Sequence, residues 1–313
     1  MQFFTKVSIS ESQKPIDYNS KIVSIGSCFA TNMGEKLEFY KFPSTTNPFG
    51  IIFNPISIEK LICRAVQKKL FTEKDIFFHN ERWHSFEIHS ELSHPDQAIF
   101  LNNLNEKLEL FLKKIATATH FIITLGTSWV YKTIQTNEMV ANCHKIPQKQ
   151  FTKHLLSTSE ISDSIKNISK LVLTINPDCE FIFTVSPVRH IKDGFIENQV
   201  SKAHLIAAIY ETNTQNSLYF PSYEIMMDEL RDYRFYSEDL LHPNTTAIDY
   251  IWSRFVETNI NPASFSTMEE VKNIQKGLQH RAYNSNSISH QKFLQNLEER
   301  IKNIGKSFPF MKF

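Results

Sequence analysis

The chain has 313 residues, of which 41% are hydrophobic and 12% aromatic, but only seven are glycine. This content is too apolar for general disorder, and 34 basic residues against 33 acidic ones give no electrostatic reason to expect nucleic-acid binding. The glycines form neither G-x-G-x-x-G nor G-x-x-x-x-G-K-[ST], which excludes a dinucleotide fingerprint and a P-loop.

Short apolar runs alternate with amphipathic segments along the chain. The runs typical of buried strands, rich in Ile, Val and Phe, span 22–25, 121–125, 181–185 and 217–220. Apolar residues recur at helical spacing in the segments 30–40, 161–172, 205–210 and 248–255. This alternation predicts an α/β fold with a mainly parallel, doubly wound sheet. In such sheets, ligands bind outside the carboxyl ends of the strands.

Two segments fall outside this alternation. Residues 54–118 combine helical stretches with the His-rich run FFHNERWHSFEIHSELSH, and we interpret them as an insertion or lid within a main domain of residues 1–260. After that domain the pattern becomes polar and helical, as in MEEVKNIQKGLQHRAY. We expect residues 261–313 to form a C-terminal helical appendage.

The cysteines and the apolar runs bear on cofactors and location. The four cysteines contain no C-x-x-C pair, so the sequence supports neither a zinc knuckle nor a thioredoxin-type motif. No apolar stretch approaches the ~20 residues needed to cross a bilayer, and the start, MQFFTKVSISES, lacks the apolar core of a signal peptide. We therefore expect a cytoplasmic protein with no membrane span and no cofactor.

Two short motifs carry the candidate chemistry. Gly-Ser-Cys at 26–28 follows the first predicted strand and precedes a helical pattern. A thiol at the start of a helix lies near unpaired N–H groups and the positive end of the helix dipole, which favour a thiolate or an oxyanion. Asp239 and His242 form a D-x-x-H, in which the carboxylate can orient the imidazole toward a nucleophile. The order nucleophile, Asp, His is that of α/β-type hydrolases.

The first motif extends to IGSCFA (25–30), and the chain resembles the GSCFA domain family, which is similar to the SGNH/GDSL hydrolases. The resemblance covers about residues 20–258. It continues through NPFGIIFNP (47–55), WHSFEIHS (83–90), TLGTSWVY (124–131), VANCHK (140–145), TVSPVRH (184–190), YFPSYEI (219–225) and LRDYRFYSEDLLHPN (230–244). It implies a flavodoxin-like, three-layer α/β/α fold and ester or acyl-transfer chemistry.

The resemblance also implies a nucleophile and its base. Set against the Gly-Asp-Ser block of SGNH enzymes, Cys28 takes the nucleophile position and Ser27 takes the position of the Asp. Both residues remain candidates, and the spacing from Gly26 favours Cys28. His242 would take the proton of the nucleophile, and Asp239 would orient the imidazole.

Three residues correspond to the oxyanion donors of SGNH enzymes. Gly50 resembles the glycine of their second block. Ser128 stands where the Gly-x-Asn block has its asparagine, and a hydroxyl reaches less far than an amide. Asn142 is the alternative source of that amide.

Further polar residues are candidates for substrate binding. Arg189 and His190 follow the third predicted strand, where they would hold an anionic or sugar substrate or else form a structural ion pair. His84 and His89 are candidates to line the lid. The spacing of five along the His-rich run does not place its histidines on one helix face, so we expect no metal site.

The chemistry favours hydrolysis of an acyl ester, such as an O-acetylated carbohydrate, through an acyl-enzyme. Acyl transfer to a glycan hydroxyl is the alternative, because a thioester can pass its acyl group to an alcohol without a large loss of free energy. A non-catalytic carbohydrate-binding protein is a third hypothesis, since Ser27 and Ser128 depart from the SGNH pattern. The expected partner is a small-molecule or glycan acyl ester, and the sequence leaves the acyl group and the oligomeric state open.

Overall fold

A five-stranded parallel sheet organises the chain. The structure is a computed structural model that describes residues 4–212 and 216–313. Its strands are β1 (Ile22–Gly26), β2 (Ser44–Thr46), β3 (Phe77–His79), β4 (Arg82–His84), β5 (His120–Leu125), β6 (Trp129–Thr133), β7 (Met139–Val140), β8 (Phe151–Leu155), β9 (Glu180–Val185) and β10 (Ser217–Phe220). Its helices are α1 (Cys28–Phe39), α2 (Pro55–Val66), α3 (Gln97–Thr117), α4 (Thr158–Ile175), α5 (Phe195–Glu211), the short α6 (Ser222–Glu224), α7 (Thr245–Asn259), α8 (Phe265–Gln279) and α9 (Ile288–Ser307). Within the two described ranges, none of these helices has the length and hydropathy to cross a membrane.

The large sheet has the strand order β10–β9–β5–β1–β2, and every neighbouring pair is parallel. The four strands predicted from apolar runs are confirmed as β1, β5, β9 and β10. The edge strand β2 escapes a sequence prediction because its three residues are polar and only partly buried. A separate antiparallel sheet, in the order β7–β6–β8, follows β5 along the chain.

The two faces of the large sheet bury two separate clusters of apolar side chains. Successive residues of a strand point to opposite faces. Phe121 and Ile123 of β5 therefore join one cluster, while Ile122 joins the other. Helices α2, α3, α4 and α5 complete the first cluster, and α1, α7, α8 and α9 complete the second. This arrangement confirms the predicted three-layer α/β/α fold.

The segment 54–118, expected to form an insertion or lid, contributes two long helices to the first layer. Leu61 of α2 and Phe111 of α3 are buried in its apolar cluster. The same segment also forms the antiparallel hairpin of β3 and β4. Its helices therefore help to cover the sheet, and the division of the chain into domains stays a prediction.

The C-terminal helices pack behind α1. Ile274 of α8 lies in the same buried cluster as Leu37 of α1. At the C-terminal end of α1, the side-chain amide of Gln275 donates to the carbonyl oxygen of Phe39 at 3.2 Å. The far end of α1 is thus held by residues of the segment 261–313.

Candidate active site

The loops after three neighbouring strands meet at one edge of the sheet. β9, β5 and β1 are parallel neighbours, so the segments that follow their carboxyl ends lie side by side. The segment after β1 carries Cys28, the segment after β9 carries His190, and the loop of Asp239 and His242 precedes α7. The candidate catalytic residues therefore belong to segments at this edge of the sheet.

Ser27 and Cys28 have different surroundings although they are consecutive. Ser27 is the N-cap of α1: its hydroxyl accepts the N–H of Phe29 at 3.2 Å, and the residue is only 1% exposed. Cys28 is partly exposed and has a free thiol. Burial raises the pKa of the Cys28 thiol, while the N–H groups of Phe29 and Cys28 and the charge of Lys202 act in the opposite direction. The accessible candidate nucleophile is therefore Cys28.

Asp239 makes three hydrogen bonds, two of them with His242. Its Oδ1 accepts the backbone N–H groups of Leu241 at 2.9 Å and of His242 at 3.0 Å, and its Oδ2 lies 2.6 Å from Nδ1 of the imidazole. These backbone donors, followed by the imidazole, lower the pKa of Asp239 to about 2, so the carboxylate is charged at neutral pH. An Nδ1–H that donates to this carboxylate leaves Nε2 as the basic nitrogen.

The backbone around this pair is tightly constrained. Leu240, between Asp239 and Leu241, has a φ of 59°, which is an unusual conformation for a bulky residue. The N–H of Ser237 donates to the carbonyl oxygen of His242 at 2.8 Å. Asn244 caps α7 by accepting the N–H of Ala247 at 3.0 Å. The loop is thus fixed at both ends.

Arg189 connects this loop to the end of β9. Its guanidinium carbon lies 4.0 Å from the ring centre of Tyr236, and its Nε donates to the hydroxyl of the same tyrosine at 3.0 Å. Its backbone N–H donates to the carbonyl oxygen of Leu241 at 3.2 Å. No carboxylate pairs with Arg189 among residues 4–212 and 216–313, so the structure gives no support to the alternative of a structural ion pair.

His190 lies near Lys202 and His242, and with Cys28 and Asp239 these residues form the cluster around Cys28. Its backbone N–H donates to Oδ1 of Asn198 at 2.8 Å, and its ring packs 5.9 Å from that of Phe53. Burial, followed by the charges of Lys202 and His242, lowers the pKa of His190 to about 3, so the imidazole is neutral. Its Nε2 is buried and has no hydrogen-bond partner in the described part of the chain.

Lys202 is a buried lysine that the sequence analysis does not identify. It is 1% exposed, and its Nζ donates to the carbonyl oxygens of Gly126 and Ser186, both at 2.7 Å. Burial lowers the pKa of the Lys202 ammonium to about 7, and the charge of Cys28 acts in the opposite direction. One signal in the sequence could have indicated its burial: Lys202 lies three residues before Leu205, on the apolar stripe of α5.

Two family models match the chain. The model of the GSCFA family matches residues 21–255, which include the large sheet, Cys28 and His242. The chain belongs to the GSCFA family. A model described as the GSCFA domain protein, C-terminal domain, matches residues 271–313, which contain α9 and part of α8. A comparison with curated proteins finds no match.

Two of the oxyanion donors predicted for this GSCFA chain are engaged elsewhere. The N–H of Gly50, which has a φ of 74°, donates to the carbonyl oxygen of Asn47 at 2.8 Å and so closes a turn. Ser128 is fully buried, and its hydroxyl donates to the carbonyl oxygen of Ser201 at 3.1 Å. Both donors are engaged in these hydrogen bonds, and the predicted contacts of Gly50 and Ser128 with an oxyanion stay predictions.

Asn142 lies beside the cluster rather than inside it. Its Oδ1 accepts the backbone N–H of His144 at 2.8 Å and the hydroxyl of Ser90 at 3.2 Å. It also lines a cavity of 320 Å³ that His190 borders on one side. Its predicted contact with an oxyanion stays a prediction.

The two lid histidines of the GSCFA chain have structural surroundings. His84 is buried in the hairpin, with its ring centre 4.7 Å from that of His144. His89 has its Nδ1 3.3 Å from a carboxylate oxygen of Glu91 and lies against Gly50. The structure does not bring either residue into contact with the cluster around Cys28. In the described residues, no three His, Cys, Asp or Glu side chains are arranged to hold a metal ion.

Proposed function

We propose that this GSCFA protein hydrolyses an acyl ester through a thioester on Cys28. The observation that carries the proposal is the short bond between Asp239 Oδ2 and His242 Nδ1, at 2.6 Å. The candidate nucleophile is a partly exposed thiol at a helix N-terminus. The charge of Asp239 reaches Cys28 electrostatically, which is consistent with the two motifs lying at one site. The expected substrates are acyl esters of small molecules or O-acetylated carbohydrates.

The proposed reaction follows the logic of a catalytic triad. His242 Nε2 takes the proton of Cys28, and the sulfur attacks the acyl carbonyl carbon. The same imidazole then donates that proton to the leaving alcohol. A water molecule, deprotonated by His242, hydrolyses the thioester and restores the thiol. Asp239 stays ionised throughout and stabilises the imidazolium.

The oxyanion of the tetrahedral intermediate needs hydrogen-bond donors that the protein does not already use. The N–H of Cys28 lies at the free N-terminus of α1. His190 offers a second donor, because its neutral imidazole can carry a proton on the unpartnered Nε2. We assign the oxyanion contacts to these two groups in place of Gly50 and Ser128.

Acyl transfer to a hydroxyl is the second candidate, and one feature favours it. The cavity of 320 Å³ beside His190 is lined by aromatic residues, Trp129 and Tyr131, and by the amides of Asn142 and Gln148. Aromatic and amide side chains are suited to a polyhydroxylated acceptor. In the proposed transfer, the hydroxyl of an acceptor bound there, beside His190, replaces water in the second step.

Turnover of p-nitrophenyl acetate, with intact-mass detection of an acyl-enzyme, tests the proposal. We expect activity in the wild type, its loss in Cys28→Ala and His242→Ala, and its retention in Cys63→Ala, a partly exposed cysteine on α2. Equal rates in all variants and no mass increase would refute an acyl-enzyme and favour a non-catalytic carbohydrate-binding protein. Adding a glycan acceptor separates transfer from hydrolysis, because only transfer yields an acylated glycan.

A further inference from the structure

We propose that Lys202 is the counter-charge of the Cys28 thiolate, a buried ammonium that lowers the cost of ionising the nucleophile. This inference rests on the proposed role of Cys28. It makes Lys202 a positioning residue, since the lysine acts through the sulfur and not on the substrate.

The first argument is the cost of burying a lysine. Lys202 is 1% exposed, and a fully buried ammonium is costly unless other groups compensate it. Two carbonyl oxygens, of Gly126 and Ser186, each accept one hydrogen bond at 2.7 Å. An ammonium has three donors, so two carbonyls leave one N–H and the whole positive charge uncompensated.

The second argument is what surrounds the ammonium. No carboxylate forms an ion pair with Lys202 in the described residues, and its charge acts on Cys28 and on His190. Tyr223 of α6 presents its ring 5.5 Å from Nζ, and His190 on the loop after β9 is neutral because burial lowers its pKa to about 3. A thiolate on Cys28 is therefore the anion available to neutralise Lys202.

The third argument is the position of the pair in the fold. Gly126 and Ser186 directly follow β5 and β9, so Nζ is anchored at the carboxyl ends of these two strands. Cys28 starts the helix that follows the neighbouring strand β1. The N–H of Ser27, the residue before Cys28, donates to the carbonyl oxygen of Thr124 in β5 at 3.1 Å, two residues before Gly126. The charge of Lys202 and the N–H groups of Phe29 and Cys28 favour ionisation of the thiol, whereas burial, the largest effect, and the charge of Asp239 oppose it. The proton that Cys28 releases goes to His242 Nε2, and Lys202 keeps its own three protons.

The pH dependence of Cys28 alkylation tests the inference. Iodoacetamide reacts with the thiolate, and peptide mass spectrometry separates Cys28 from the other three cysteines. We expect Lys202→Met to raise the midpoint of the alkylation profile by one pH unit or more. The rate at neutral pH then falls about tenfold or more, while the limiting rate at high pH stays unchanged. Lys166→Met removes an exposed lysine of α4 and should leave the midpoint where it is.

A second measurement covers the case in which Lys202→Met does not fold. The coupling between the two charges is reciprocal. Removing the sulfur must therefore lower the pKa of Lys202 by as much as removing the ammonium raises the pKa of Cys28. Cys28→Ala truncates a partly exposed side chain, and NMR of labelled lysine Cε in this variant should show the buried lysine titrating at lower pH than in the wild type. An unchanged midpoint in a folded Lys202→Met, or an unchanged lysine titration in Cys28→Ala, overturns the inference.

These outcomes are independent of ester turnover. If Lys202 shifts the titration of Cys28 but no acyl-enzyme forms, the proposed function fails and the charge pair stands. If an acyl-enzyme forms and the profile of Lys202→Met equals that of the wild type, the charge pair fails and the proposed function stands.

Discussion

Replacing Ser27 by alanine separates a structural role from a catalytic one. The hydroxyl of Ser27 caps α1 by accepting the N–H of Phe29, and loss of such a cap costs about 0.5–2 kcal/mol. Since Ser27 is 1% exposed, water cannot replace the lost acceptor, and we expect a value of about 1–2 kcal/mol, in the upper half of that range. Alkylation of Cys28 and formation of an acyl-enzyme should persist in Ser27→Ala.

The assay is urea unfolding followed by circular dichroism, with Ser157→Ala as the matched control. Ser157 is the N-cap of α4 and accepts the N–H of Glu160 in a capping box, but it is exposed, so we expect its loss to cost about 0.5–1 kcal/mol. With an m-value of about 3 kcal/mol/M, Ser27→Ala should lower the midpoint by about 0.3–0.7 M urea.

One result would refute the reasoning. If Ser27→Ala unfolds at the wild-type urea concentration but forms no acyl-enzyme, then the hydroxyl of Ser27 acts as the nucleophile and not as a cap. Cys28→Ala would then retain activity, which provides the complementary check.

Three further predictions follow from the same structure. Asp239→Asn places an amide against the imidazole and favours the wrong tautomer, so kcat for an ester substrate should fall by about 10⁴ with little change in unfolding midpoint. His190→Ala should lower kcat about 10²–10³-fold at nearly constant KM if its Nε2 contacts the oxyanion, and an unchanged kcat would exclude that contact. Gly34→Ala should destabilise the protein in thermal unfolding, because a Cβ would lie 2.7 Å from Cγ2 of Thr46. Gly305→Ala in α9 meets no atom within 4 Å and should instead stabilise it by up to about 1 kcal/mol, and equal effects of the two substitutions would contradict the clash.

The four strands with apolar runs and the D-x-x-H pair could be predicted from the sequence because their signals are local. A buried parallel strand reads as a continuous apolar run, and a carboxylate three residues before a histidine can bond it within one turn. The roles of Gly50 and Ser128 were not accessible in this way. A resemblance gives the residue type at a position, but whether its donor is free depends on contacts with Asn47 and Ser201.

Lys202 was missed for a different reason. A single lysine on the apolar stripe of a helix is usually read as a side chain whose ammonium reaches solvent. The structure instead surrounds it with the ends of two strands, so its burial depends on residues far away in sequence, Gly126 and Ser186. No local pattern could distinguish these two outcomes.

The packing of α8 against α1 affects when the candidate site can form during synthesis. Domains generally fold in the order in which they leave the ribosome. However, the apolar face of α1, the helix that begins at Cys28, is completed by Ile274, and its last carbonyl is bound by Gln275. Both residues are translated after every residue of the cluster around Cys28. A nascent chain that ends at residue 260 leaves part of this face open to water. We therefore expect Cys28 to acquire its native reactivity only after α8 has emerged and packed.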